Sequence, residues 1–319
     1  MSSGTPFPDP RLDQGSNTYV SVTIVTASFT FISTIIVALR LAYRAFTASL
    51  KWDDWVCLGA LLFAYALLVT TILISTVGQA GHHIYEYDRH DLEKYIKILL
   101  ANNIVYCTSI FLTKISILFF YHRLFFVNEA LMRTSLIVGG ITIAHWITSV
   151  VGFGIWLSPA HPQWKAEKLS TDEWVKPFWI TVSALNMLLD FTILCMPQPI
   201  VWRLQQALRR KMMLSVLFAI GTFVCITTIV RVYYLSIIDY DDVTYTLSTV
   251  GIWTMLEMHL GIICACLPVI AGLVRFLSTR RRGKTPRTAS DLSSAYENSR
   301  TPKKRTIRNY GDCWVDVRE

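Results

Sequence analysis

Seven long apolar stretches constrain the fold of this chain more than any other feature of its sequence. Each is at least as long as the roughly 20 residues that an α-helix needs to cross the hydrocarbon of a bilayer. Only 16% of the 319 residues are charged, whereas about 25% is usual in soluble domains. The sequence therefore predicts an all-α membrane protein with a seven-transmembrane-helix bundle. The predicted spans are 20–42, 55–77, 98–121, 135–157, 178–201, 214–238 and 247–276.

The loops between these spans predict the orientation of the chain. Fourteen Lys and Arg residues lie at the ends of odd-numbered spans, in the loops that follow them or in the tail up to residue 284, and seven lie on the opposite side. Short cytosolic loops carry the excess of basic residues in membrane proteins. We therefore expect the N-terminus outside and the C-terminus in the cytosol of a multi-pass protein, in the plasma membrane or another endomembrane.

Charge also divides the chain into three predicted regions. Residues 1–18 form an external segment, 19–277 the membrane domain, and 278–319 a disordered basic tail that holds most of the net charge of +8. Because the excess is confined to a tail beside a span, it predicts contact of Arg280-Arg281-Arg282 with anionic lipid. A folded basic surface is absent from this pattern, so we expect no nucleic-acid partner.

Polar and charged residues inside the apolar spans are the candidate functional positions, because burying them in hydrocarbon is costly. Lys114 in the third span and Asp190 in the fifth lie at depths that allow an ion pair, as do Arg231 in the sixth and Glu257 in the seventh. These pairs either fix helix register or line a ligand pocket between the third, fifth, sixth and seventh spans. The candidate intramembrane residues are Asn102, Asn103, Lys114, Asn186, Asp190, Arg231 and Glu257.

Asp53 and Asp54 open the second span beside several arginines. Carboxylates are favourable at a helix N-terminus, and these two also lie within reach of Arg40, Arg44 or Arg123. We favour helix capping combined with a cytosolic ion-pair clamp over a magnesium–diphosphate site, which would need further carboxylates nearby.

The external loop after the second span contains a polar run, GHHIYEYDRH. On a helix, His82, Glu86 and His90 would align, and such a set could hold a metal ion or respond to pH. A solvated cap over the bundle explains the same residues. We predict neither a metal site nor a cofactor here.

Motifs for catalysis or for a retinal chromophore are missing from the sequence. There is no Gly-x-Ser-x-Gly, no His-Glu-x-x-His and no phosphate-binding glycine loop. The last span lacks the lysine that a retinal Schiff base would use, and Lys114 lies in a different span. We therefore assign no catalytic residue and consider an enzyme less favoured than a receptor.

In their order along the chain, several short elements resemble the fungal rhodopsin-domain family of GPCR-like membrane proteins. The resemblance covers about residues 19–276. It rests on Asp53-Asp54-Trp55; Gly81-His82-His83-Ile84; Thr113-Lys114-Ile115-Ser116-Ile117-Leu118; Tyr121-His122-Arg123-Leu124-Phe125; Asn186, Asp190 and Pro197; Lys211, Gly221 and Arg231; and Trp253, Glu257 and 261–268.

The resemblance implies a seven-span fold and a loose role in sensing. Together with the lysine-free last span, this predicts a GPCR-like receptor or sensor without retinal, with a small apolar ligand as its candidate partner. Some family members are encoded in clusters for specialised metabolites, so a membrane-embedded enzyme of the cyclase or isomerase kind, or an accessory protein, is the alternative. Tyr121-His122-Arg123 stands where larger receptors have Asp-Arg-Tyr, and the third cytosolic loop is short. These departures argue against coupling to a G protein.

Overall fold

The computed structural model describes residues 12–47, 50–78, 89–124, 129–156, 175–198, 208–237, 243–282, 307–310 and 313–316. The described helices are α1 (Leu12–Thr47), α2 (Trp52–Thr76), α3 (Arg89–Leu124), α4 (Glu129–Trp156), α5 (Val175–Cys195), α6 (Leu208–Ser236) and α7 (Val243–Arg282). All seven include a segment long and apolar enough to cross a membrane. The predicted helical bundle is confirmed.

Charges at some helix ends agree with the helix dipole, which favours acidic residues in the first turn and basic residues in the last. Asp53 and Asp54 lie in the first turn of α2, and its N-terminal Lys51 N–H donates to Asp54 Oδ2 at 3.2 Å. Arg44 lies in the last turn of α1, and Arg123 in that of α3. The predicted acidic start of α2 is therefore present.

Hydroxyl side chains inside the helices bond to their own backbone. In α1, Thr26, Thr30 and Thr34 each donate to the carbonyl four residues earlier, at 2.7 Å. A polar group in hydrocarbon needs such an internal partner because no water is available. This pattern explains how the Thr-rich first span remains compatible with a membrane.

The bundle exposes many large apolar side chains outward and buries others between the helices. Phe31, Leu62 and Ile137 are more than 60% exposed, as is expected for side chains that face lipid. The main buried cluster joins α1, α2, α3 and α7 and includes Val37, Ala64, Tyr106 and Ile262. Small residues such as Ala64 allow the close helix contact that is usual in membranes.

Helix α3 lies inside the bundle, packed against α2, α4 and α5. This position accounts for the polar residues of its sequence, since a helix surrounded by protein can satisfy them with neighbouring side chains. Helix α7 is connected by side-chain hydrogen bonds to α1, α3, α5 and α6. Both helices therefore position the polar residues described below.

The chain divides into two compact units, Met1–Gly272 and Leu273–Glu319. In the second unit, the described residues are the end of α7 and an antiparallel two-stranded sheet. Its strands are β1 (Ile307–Tyr310) and β2 (Cys313–Asp316), with Ile307 opposite Asp316 and Tyr310 opposite Cys313. The sequence predicts disorder from residue 278 onward, whereas these parts of the tail are helical or paired as strands. The three predicted domain boundaries stay a prediction.

Candidate functional site

Lys114 is buried at the centre of the bundle, with only 3% of its surface exposed. Its ammonium lies 3.2 Å from Asp190 Oδ1 of α5, which confirms the predicted ion pair. It also donates to the side-chain and backbone oxygens of Asn186, at 2.8 and 2.9 Å. Three oxygen acceptors on α5 therefore hold the lysine of α3.

The second predicted ion pair, between α6 and α7, is also present. Arg231 Nη1 lies 3.2 Å from Glu257 Oε2, and both side chains are at least nine-tenths buried. Tyr106 of α3 donates its hydroxyl proton to the same Glu257 oxygen at 3.0 Å. The Arg231 guanidinium donates to the Tyr106 oxygen and stacks 4.6 Å from the centre of that ring.

Asn186 connects the two ion pairs into one network. Its Nδ2 donates to Glu257 Oε1 at 2.6 Å and makes a longer contact of 3.4 Å with Asp190 Oδ2. We call the connected set the central charge network; its members are Tyr106, Lys114, Asn186, Asp190, Arg231 and Glu257. It links four helices and contains two cations and two carboxylates, so its formal charges balance.

Two cavities adjoin the central charge network, one toward each end of α3. The first is lined by residues of α3, α4, α5 and α6, including Phe111, Trp146 and Ser183. The second is lined by α3, α5, α6 and α7, including Tyr121, Gly221 and Gly261. Lys114 lines both. The second cavity lies between the four helices for which the sequence predicts a pocket.

The two cavities are small in this conformation. The volume open to the centres of water molecules is about 20 Å³ in the first and about 60 Å³ in the second. A water needs roughly 10–15 Å³ on this measure. The second cavity therefore has room for a few waters, and a larger occupant would require the surrounding helices to separate.

A second ionic cluster lies where α1 ends and α2 begins; we call Arg40, Arg44, Asp53, Asp54 and Arg123 the clamp. Arg40 is fully buried and donates to Asp53 Oδ2 and Asp54 Oδ1, each at 2.9 Å. Its remaining terminal nitrogen donates to the backbone oxygen of Ala265 in α7 at 2.7 Å. Arg40 therefore connects α1, α2 and α7.

The other two arginines of the clamp are held less tightly. Arg44 Nη2 donates to Asp53 Oδ2 at 3.3 Å. Arg123 Nη1 lies 3.9 Å from Asp53 Oδ1, which is an ion pair but not a hydrogen bond. The predicted contacts of the aspartates with Arg40, Arg44 and Arg123 are thus all present, and Ser116 of α3 also bonds to the Asp53 backbone oxygen at 2.8 Å.

The other sequence candidates lie elsewhere. Asn102 accepts from Thr70 Oγ1 at 2.7 Å, and Asn103 donates to the Leu99 carbonyl of its own helix at 3.0 Å. Neither lines the two cavities, so a pocket role for them stays a prediction. His83 lies outside the described residues, as do His82 and Glu86 of the proposed polar cap. Among the residues that the structure describes, no group of three His, Cys, Asp or Glu could hold a metal ion.

Two features of the bundle were not predicted as contacts from the sequence. Tyr106 joins the central charge network, although in the sequence it resembles any aromatic residue of an apolar run. His259 is completely buried between Thr30 and Ser33 of α1, with ring nitrogens 3.3 and 3.2 Å from their hydroxyls. A histidine at mid-span is the signal that points to such a contact, but it does not identify the partner helix.

The fold and the buried ionic clusters define a multi-pass membrane protein with a seven-helix bundle. The profile of the fungal rhodopsin domain matches residues 39–276, and the chain belongs to that family. The family resemblance seen in the sequence is therefore confirmed.

Relatives of this chain have names that indicate different roles. A SAT4 family membrane protein of Emericella nidulans is 30% identical over 71% of this chain and 58% of its own length. Receptor GIN3 of Arthrobotrys oligospora is 26% identical over 85% of this chain and 64% of its own length. Phomoidride biosynthesis cluster protein H of a fungal species is 26% identical over 84% of this chain and 92% of its own length. No solved structure matches the chain.

Proposed function

We propose that the chain is a receptor or sensor that binds a small apolar ligand without retinal. The central charge network carries this proposal, because it joins four helices through buried charges beside a cavity. A buried ion pair is a weak source of stability, but breaking it by removing one partner is costly. Such a network favours one packing of the bundle until a ligand stabilises another.

The size of the second cavity suggests how binding would act on the network. An occupant larger than a few waters needs α3, α5, α6 and α7 to move apart, and those are the helices joined by Lys114, Asn186, Arg231 and Glu257. A ligand shifts a conformational equilibrium only by its difference in affinity for the two states. Here that difference arises because the ligand fits only the separated helices.

Orientation is part of the proposal. The excess of Lys and Arg in one set of loops supports an outside N-terminus and a cytosolic C-terminus. The clamp and the basic tail would then face the cytosol, where Arg280-Arg281-Arg282 would contact anionic lipid. Protease protection of an epitope placed at each terminus tests this, and an N-terminal epitope that survives only inside intact cells would reverse the assignment.

The relative named Receptor GIN3 supports the receptor reading. The sequence departures from larger receptors argue against a G protein as the partner.

Ligand binding in nanodiscs tests the receptor proposal directly. The full chain would be titrated with Nile red and then competed with C10–C20 terpenes and fatty acids. A Gly221→Val variant adds bulk to the wall of the second cavity, and Gly140→Val is the matched control, because a Cβ added at Gly140 would meet no atom of a neighbouring helix within 4 Å. We expect saturable binding that Gly221→Val weakens at least about tenfold and Gly140→Val leaves unchanged. Equal binding by both variants would place the ligand elsewhere.

A membrane-embedded enzyme or an accessory protein of a specialised-metabolite pathway is the second candidate. Two observations favour it: Asp190 and Glu257 line the same cavity, and a relative is named as a phomoidride biosynthesis cluster protein. A buried carboxyl group beside an apolar substrate could serve as a general acid.

Conservative variants distinguish the two candidates. Glu257→Gln and Asp190→Asn would be expressed in the native host, with membrane levels and metabolites measured together. Loss of one metabolite at normal protein level supports the enzyme, whereas an unchanged profile with altered ligand response supports the receptor.

A further inference from the structure

The clamp carries more positive charge than its own carboxylates neutralise. Among the residues that the structure describes, Arg40, Arg44 and Arg123 form ion pairs with two carboxylates, those of Asp53 and Asp54. The aspartates are nearly completely buried, at 3% and 0% exposure. An excess cation in a site shielded from water is unfavourable unless an anion accompanies it.

The unused hydrogen-bond donors lie on Arg44 and Arg123. All three nitrogens of Arg40 donate hydrogen bonds. By contrast, Arg44 Nε is buried and makes no hydrogen bond, since its nearest carboxylate oxygen lies 3.7 Å away. Arg123 Nη1 is likewise buried without a hydrogen bond. The Arg44 side chain is only 9% exposed and that of Arg123 is 34% exposed, so the pair reaches from the buried clamp to the surface.

The unused donors of Arg44 and Arg123 indicate which kind of acceptor they would bind. Buried polar groups in proteins almost always have partners, and arginine binds phosphate through two parallel hydrogen bonds. Because Asp53 and Asp54 already accept from Arg40, a phosphate with several free oxygens is better suited to Arg44 and Arg123 than either aspartate.

Large aromatic side chains at the same end of the bundle indicate the source of that phosphate. Phe46, two residues after Arg44, is 91% exposed. Trp52 and Trp55, on either side of the two aspartates, are 79% and 58% exposed. Tryptophan at a span end is typical of the membrane–water interface, beside the headgroups. A phosphate-bearing lipid would therefore meet basic and aromatic side chains together, whereas free phosphate would use only the arginines.

We propose that the phosphate of an anionic phospholipid binds between Arg44 and Arg123, with its acyl chains along Phe46, Trp52 and Trp55. This site includes none of the basic residues 280–282 and does not depend on the receptor proposal. It would complete the charge of the clamp and thereby stabilise the junction of α1, α2 and α3.

Thermal unfolding of the purified full chain in neutral detergent tests the lipid site. Dioctanoyl phosphatidic acid, dioctanoyl phosphatidylcholine and inorganic phosphate would be titrated separately. We expect phosphatidic acid to raise the unfolding temperature saturably, with little effect of phosphatidylcholine or phosphate. An equal shift with inorganic phosphate would overturn the lipid as the source, and no shift with phosphatidic acid would overturn the site.

Four variants locate the binding. Arg123→Gln and Arg44→Gln should each weaken the phosphatidic acid effect about tenfold. Because Arg123 makes no hydrogen bond to the part of the chain that the structure describes, its variant should fold even where Arg44→Gln does not. Arg133→Gln is the matched control, since Arg133 is exposed and pairs with Glu129 on its own helix. A full effect in Arg123→Gln, or its loss only in the triple variant Arg280→Gln, Arg281→Gln, Arg282→Gln, would overturn the proposal.

Discussion

The central charge network and the clamp are both buried ionic clusters that join several helices, yet their charges are arranged differently. The network has two cations and two carboxylates, and Asn186 connects its two ion pairs. The clamp has three cations for two carboxylates, with one arginine fully bonded and two bonded only in part.

The network is therefore balanced in formal charge, whereas the clamp keeps one excess positive charge. In the network each cation has a carboxylate partner, although Arg231 Nε makes no hydrogen bond among the described residues. A molecule larger than a few waters can therefore reach the network only if the helices move. In the clamp an anion can be added without breaking a strong contact. The mid-bundle cluster is therefore suited to sensing a change in packing, and the cluster at the helix ends to holding a charged headgroup.

Removing Arg40 should have the largest effect on the clamp. Arg40→Gln leaves two buried carboxylates with only the weaker contacts of Arg44 and Arg123, and loss of one partner of a single buried pair already costs about 3–5 kcal/mol. We expect little folded protein, measured by size-exclusion chromatography of a fluorescent fusion. A normal monodisperse yield would show that Arg44 and Arg123 can replace Arg40.

Within the network, Glu257→Gln should be nearly as damaging, by about 3–5 kcal/mol, because Arg231 loses its carboxylate partner in a buried site. The double variant Arg231→Met with Glu257→Leu removes both charges and should recover much of that loss. Unfolding can be followed with a thiol-reactive dye, since Cys57 and Cys266 are buried free thiols. A double variant less stable than Glu257→Gln would contradict the internal balance of the network.

Asp190→Asn should cost less, about 1–3 kcal/mol. Lys114 keeps the two oxygens of Asn186 as acceptors, and the Asp190 side chain is already 18% exposed. The same dye assay compares it with Glu257→Gln. If Asp190→Asn proves the more damaging of the two, the Lys114–Asp190 pair contributes more to stability than the Arg231–Glu257 pair.

Gly221→Ala probes the cavity beside the network. An added Cβ would lie 2.3 Å from Leu194 Cδ1, the end of a flexible side chain that can move. We expect a loss of about 1–2 kcal/mol and weaker binding of any ligand in the second cavity. Unchanged unfolding together with unchanged ligand binding would show that Leu194 is displaced outward, away from the cavity.

Arg133→Gln should have the smallest effect, within about 0.5 kcal/mol, because exposed ion pairs within one helix contribute little. The side chains of Arg133 and Glu129 are 75% and 78% exposed. An unfolding temperature equal to that of the parent protein is expected. A loss comparable with that of Asp190→Asn would mean that Arg133 has a role beyond this pair.

Much of this architecture follows from the sequence because membranes make polar residues conspicuous. Lys114, Asp190, Arg231 and Glu257 stand out in apolar runs, and their depths predict the two ion pairs that are present. Asp53 and Asp54 are visible for the same reason. The fold class needs only the lengths and composition of the spans.

Which side chains of different helices contact each other could not be predicted from the sequence. Tyr106 lies about two turns before Lys114, but tyrosine is also common in apolar cores, so its type does not predict this contact. The hydrogen bond from Arg40 to the Ala265 carbonyl joins residues far apart in the chain, and every helix residue has such a carbonyl. Asn102, Asn103 and Asn186 look alike in the sequence, yet only Asn186 reaches a carboxylate on another helix.

Lys114 lines both cavities while it is bonded to α5. The Lys114 ammonium cannot point into both cavities at once. A molecule in one cavity that attracts the ammonium therefore moves it away from the other cavity. Thermodynamic linkage then requires that each occupant alter the affinity for the other by the same factor. We expect negative cooperativity between the two halves of the bundle interior, measurable as reciprocal shifts in dissociation constants and lost in Lys114→Met.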